Sequence, residues 1–90
     1  LKECFLCGKN GAGDPLEKHH AFGGALRKKS EKYGLYVYLC GDKCHRNGPK
    51  AAHVCRETAD MIRRWAQETV MREQGWDTER FIREFGKNYL

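Results

Sequence analysis

The sequence predicts a small α+β domain fastened by zinc, and three observations carry that expectation. Two short-spaced cysteine pairs, Cys4-x-x-Cys7 and Cys40-x-x-x-Cys44, offer four thiolates. The aromatic and β-branched run Tyr33 to Leu39 leads straight into the second pair, as a strand would. From Pro49 onward the pattern turns helical, with no glycine until Gly75. Ninety residues allow one domain, residues 1–90, and exclude a two-domain enzyme with a buried cleft of its own. With 40% hydrophobic and 32% charged residues the chain reads as globular, yet it is too short for a large core alone to hold it.

Residues 1–17 read as a loop around Cys4 and Cys7, broken by Gly8, Asn10, Gly11, Gly13, Asp14 and Pro15. Lys18 to Lys32 carries His19 and His20, then Gly23 and Gly24, then the basic run Arg27, Lys28, Lys29 and Lys32. Five bases against Glu31 leave this stretch at a net +4. After the strand and Cys44, a long helix is expected from Pro49 to Gly75, since proline is tolerated at a first helical position. On a helical wheel Val54, Thr58, Met61, Ile62, Trp65 and Thr69 share a packing face, while His53, Glu57, Asp60 and Arg64 share another. Asp77 or Thr78 caps a shorter second helix, with Phe81, Ile82 and Phe85 apolar and Gly86 as its stop.

Four thiolates complete a closed tetrahedral zinc shell, which makes such a site structural. In a small domain that affinity is folding free energy, on the order of 10 kcal/mol. Two alternatives stay open: one pair is incidental, or His45 replaces Cys44 as a ligand. Cys55 is left over and reads as a small helix-packing residue. The odd cysteine count, the lack of a signal-like segment and the lack of a long apolar run argue against a secreted disulfide framework and a membrane span. The expected location is the cytoplasm, where thiols stay reduced.

The 32 residues between the cysteine pairs hold His19 and His20; His45 follows Cys44, and His53 opens the expected helix. Adjacent residues of an extended segment point to opposite sides, so His19 and His20 do not easily serve one ion. That spacing suits a division of labour in which one holds a metal and the other activates water. Seventeen Lys plus Arg against twelve Asp plus Glu, a net +5, favours a polyanionic partner.

The order Cys-x-x-Cys, LEKHHAFGG, a strand running into LCGDKCH and a later histidine resembles the HNH endonucleases of the ββα-metal class, in particular small phage-type members carrying a structural zinc. The resemblance covers about Cys4 to Cys55. It implies a ββα-metal core over about residues 4–60, with a helical extension over about 61–90. It makes His20 the general base and His19, His45 and His53 the ligands of one catalytic divalent metal, Zn²⁺, Ni²⁺, Co²⁺, Mn²⁺ or Mg²⁺. Three imidazoles favour the borderline ions over Mg²⁺. A titration point near ~6.5 lets an imidazole take a proton from water at cellular pH.

DNA is then the expected partner, contacted through Lys18, Arg27, Lys28, Lys29, Lys32 and Arg46, with 5′-phosphate and 3′-hydroxyl products. The setting is a bacterial or phage-infected host cell, with no membrane association. A dimer, or a phage or host protein partner, is a further expectation, with Trp76 or the second helix as its surface. The chain departs from the family pattern in three places. The last two ligands stand eight residues apart instead of four, Gly23 replaces a proline, and no middle asparagine lies near Leu35 or Tyr36. The hydroxyl of Tyr36 or Tyr38, or backbone bonding, is left to hold the base loop. Asp60 is a candidate partner for an imidazole N–H or for Arg64. The alternative function is a non-catalytic zinc-stabilised module that binds nucleic acid or protein.

Overall fold

Alternation is the physical origin of the small sheet. In the computed structural model, which describes residues 2–90, Tyr36–Cys40 forms a strand whose Val37 and Leu39 are buried while Tyr36 and Tyr38 stay half-buried. It pairs antiparallel with Leu16–His20, so that Leu16 lies opposite Cys40 and His20 opposite Tyr36. We call the earlier strand β1 and the later one β2. The expected strand began at Tyr33, but Gly34 (φ +71°) turns the chain there, and Leu35 N–H donates to Ser30 O at 2.7 Å.

The basic stretch contains a short helix, α1, over Arg27–Lys32, entered through a tight turn at Gly24–Leu26. Ser30 fixes it from inside: its buried hydroxyl donates to Phe22 O at 2.9 Å and accepts from Phe22 N–H at 3.2 Å. A wide turn, Gly41–Arg46, follows β2 and closes with Asn47 N–H on Asp42 O at 2.8 Å. Asp14 holds its start by accepting from the backbone N–H groups of Asp42 and Lys43 at 2.9 and 3.0 Å.

The long helix, α2, spans Arg56–Gln74, so it starts seven residues after Pro49. The intervening N–H groups are used elsewhere: Ala52 donates to Cys44 O and His53 to His45 O, at 2.9 and 3.0 Å. His53 therefore lies in a turn before the helix, and its placement on the helical wheel is corrected. On α2 the face that packs is Thr58, Ile62, Ala66, Gln67, Thr69 and Val70. Met61 and Val54, expected to pack, are exposed. The last helix, α3, runs Thr78–Phe85 with Asp77 accepting from Arg80 N–H, and Gly75 and Gly86 end α2 and α3 in the left-handed region.

One apolar cluster joins both halves of the chain. Phe22, Leu35, Val37 and Leu39 meet Ile62, Ala66 and Val70 of α2 and Phe81 and Phe85 of α3. The Phe22 ring centroid lies 4.9 Å from that of Phe85 and 5.9 Å from that of Phe81. The C-terminal helices are thus part of the core that carries the sheet. Trp76, expected as a partner surface, is instead half-buried against Tyr33 at 5.2 Å with Arg80 over its ring. Among the described residues no helix is long and apolar enough to cross a membrane.

Candidate metal centres

The two cysteine pairs meet because β2 and the N-terminal loop are tied together. Phe5 N–H donates to Tyr38 O at 2.8 Å, while the loop turns back through Gly8 N–H on Cys4 O and Cys4 N–H on Lys9 O. The four sulfurs of Cys4, Cys7, Cys40 and Cys44 lie within 4.8 Å of one another, with Cys7 Sγ 3.5 Å from Cys40 Sγ. Tetrahedral thiolates around zinc stand about 3.8 Å apart, given Zn–S bonds of about 2.3 Å. Four cysteines this close could hold a structural metal ion such as zinc. Cys44 belongs to this group and His45 does not. Cys55 also lies outside it, at the start of α2 beside Thr58, whose side-chain and backbone hydrogen bonds lower its thiol pKa.

Without metal the thiols are unequal. Burial, opposed by backbone N–H groups of Cys7, Cys40 and Leu6 that prevail, leaves Cys4 lowered to about 6. Burial, reinforced by the neighbouring thiols, raises Cys40 to about 11 and Cys44 to about 12. A cation held there would supply charge that favours the thiolate forms.

The second group grows from the alternation of β1. Glu17 and His19 face one side of the strand, Lys18 and His20 the other. On the first side, ring nitrogens of His19, His45 and His53 lie within 4.8 Å of one another. His45 is delivered by the wide turn directly after Cys44, and His53 by its backbone bond to His45 O. Nε2 of His53 stands 3.0 Å from Nε2 of His45, while His45 Nδ1 is 2.8 Å from Glu17 Oε1. Glu17 only accepts, so Nδ1 carries a hydrogen and Nε2 is the nitrogen turned toward the group. Burial first, then the charges of His45, His53 and Arg63, press His19 down to about 4. Burial, then His45, also lowers His53. Each of the three rings offers one nitrogen to this group, which could hold a metal ion.

His20 and the three converging rings line one cavity of about 470 Å³, together with Lys18, Gly23, Arg27 and Arg63. His20 Nε2 is 2.8 Å from Glu31 Oε1, and its ring packs edge-on to Tyr36 with centroids 5.9 Å apart. Lys18 Nζ reaches both Glu31 oxygens at 3.3 Å and lies 4.1 Å over the Tyr36 ring. The loop after His20 is held by Ala21 N–H on Leu35 O at 2.9 Å, so backbone rather than a tyrosine hydroxyl secures it.

Several residues read as phosphate contacts have partners inside the protein. Lys29 donates to Glu84 O at 2.7 Å, Arg46 pairs with Glu17, and Lys18 pairs with Glu31. Arg27, Lys28 and Lys32 are exposed, with Lys32 over the Tyr33 ring. Asp60 binds Arg63 at 2.8 Å and Arg56 at 3.8 Å, not Arg64 or an imidazole.

Three residues at this site escaped the sequence reading. Glu17 was legible, because it stands two before His19 on one strand face. Glu31 and Arg63 depend on how α1 and α2 pack, and no local spacing announces them. No family model matches this chain, and no curated protein or solved structure matches it either.

Proposed function

We propose that this protein is a metal-dependent DNA endonuclease of the HNH kind that hydrolyses phosphodiester bonds. The observation that carries the proposal is the convergence of His19, His45 and His53 to within 4.8 Å beside a fourth imidazole, His20, on the same cavity. His19, His45 and His53 would hold the cation. A divalent ion held there would supply Lewis-acid stabilisation of the negative charge that develops on a phosphodiester. Glu17 keeps His45 turned with its lone pair inward. His20, with Nε2 engaged by Glu31, offers Nδ1 to take the proton of an attacking water. Arg63, held by Asp60, and Arg27 place positive charge on the rim, where a phosphate would bind. The cysteine group stays apart from the chemistry and fixes the turn that bears His45.

Plasmid nicking tests this reading, with Mn²⁺ or Ni²⁺ added to wild type and to His20→Ala. Cleavage by wild type and a loss of about 10²-fold or more in the variant, with fold and metal content retained, supports it. Equal inertness of both proteins, with DNA binding intact, overturns it in favour of a zinc-stabilised binding module.

A further inference from the structure

The resemblance to HNH nucleases assigns the orientation of the base to a middle asparagine, which this chain lacks near Leu35 and Tyr36. We propose that Glu31, carried by α1, is the positioning residue for His20, holding it as the Nε2–H tautomer so that Nδ1 faces the cavity. The inference rests on the nuclease reading for its catalytic consequence, but not for its geometry.

Three observations support it. Glu31 Oε1 lies 2.8 Å from His20 Nε2, a charge-assisted hydrogen-bond distance. A carboxylate is an acceptor only, so the nitrogen that meets it carries the hydrogen, and in the neutral ring the lone pair is then on the other nitrogen. The carboxylate is itself fixed, because Lys18 Nζ sits 3.3 Å from both of its oxygens, and Lys18 rests on the Tyr36 ring. Tyr36 also abuts His20, opposite it in the sheet register. The imidazole is therefore held in its plane by Glu31 and against its ring by Tyr36. The construction is non-local: α1 is anchored through Ser30 to Phe22, so the turn that follows His20 also sets where Glu31 stands.

The test combines a spectroscopic readout with kinetics on wild type, Glu31→Gln and Glu31→Ala. The Glu31 side chain is about half exposed (52%), and alanine favours helix, so both variants should fold. Ring ¹⁵N shifts of His20 in the metal-free protein report the tautomer. The expected result is the Nε2–H form in wild type and in Glu31→Gln, whose amide oxygen still accepts, and mixed tautomers in Glu31→Ala. In nicking with Mn²⁺, kcat should fall about 10- to 100-fold in Glu31→Ala with KM unchanged, and recover in part in Glu31→Gln. An Nδ1–H form in wild type, or unchanged tautomer and kcat in Glu31→Ala, overturns the inference. A wild-type protein that cleaves nothing refutes the nuclease reading instead, and the ¹⁵N result alone then decides whether Glu31 holds His20.

Discussion

His19 concentrates the electrostatic tension of the site. Its ring is pressed down to about 4 in the metal-free protein, against about 6.5 in an unfolded chain. At this residue the unfolded state thus binds more protons between those values, so the contribution of His19 to stability falls as pH drops from about 6.5 toward 4 and is constant above that window. Urea midpoints of metal-free protein across this range should decline, and His19→Gln should flatten the decline. An equal slope in the variant would place the acid sensitivity elsewhere. Gln67 ties the C-terminal tail to α2. Fully buried, it donates to Asn88 Oδ1 at 2.8 Å and accepts from Tyr89 N–H at 2.7 Å. Gln67→Ala should cost about 1–3 kcal/mol by chemical denaturation, since it strands a backbone donor and opens a void. Neither the burial of His19 nor the role of Gln67 was legible in the sequence. The family resemblance singled out His19 as a ligand, but the rings packed beside it, His45 and His53, lie more than twenty residues away. Gln67 looked like an ordinary helix residue.

Among the elements, the wide turn Gly41–Arg46 joins the sulfur group to the imidazole group through the neighbours Cys44 and His45. Gly48 makes that turn possible, because a Cβ there would lie 2.0 Å from Lys43 O. Gly48→Ala should therefore lower thermal stability by about 1–3 kcal/mol and weaken metal binding at both groups, measured by calorimetry. A substitution without effect on either would remove the turn from its linking role. The α1 helix presents Lys28 and Lys32 one turn apart on an exposed surface. On the nuclease reading, Lys28→Ala with Lys32→Ala weakens DNA binding uniformly across sequences and lowers the salt slope by about 1 for each phosphate no longer neutralised. The strand β2, helix α3 and the glycine stops were legible because each announces itself locally. The start of α2 was not: Pro49 is compatible with a helix, and only the pairing of Ala52 and His53 with Cys44 and His45 shows why the chain turns there instead.

At the scale of the molecule, one apolar cluster packs the sheet against the helices among the described residues, and the cysteine group could add a metal-held fastening. Cys40 and Cys44, raised to about 11 and 12, are protonated near neutral pH. Zinc uptake should then release protons from both, with apparent affinity rising as pH rises. Calorimetry in buffers of different ionisation enthalpy reads that release directly. The architecture was legible as cysteine pairs, strand and helices in order. The union of the terminal helices with the sheet was not, since it depends on Phe22 meeting Phe81 and Phe85 across the chain. The central claim is that His19, His45 and His53 grip a second cation. Its most direct measurement is Mn²⁺ or Ni²⁺ titration of protein whose cysteine group is already filled with zinc. One further equivalent is expected, lost in His53→Ala and retained in His20→Ala; no further equivalent, or one that survives loss of His53, would overturn the three-histidine site.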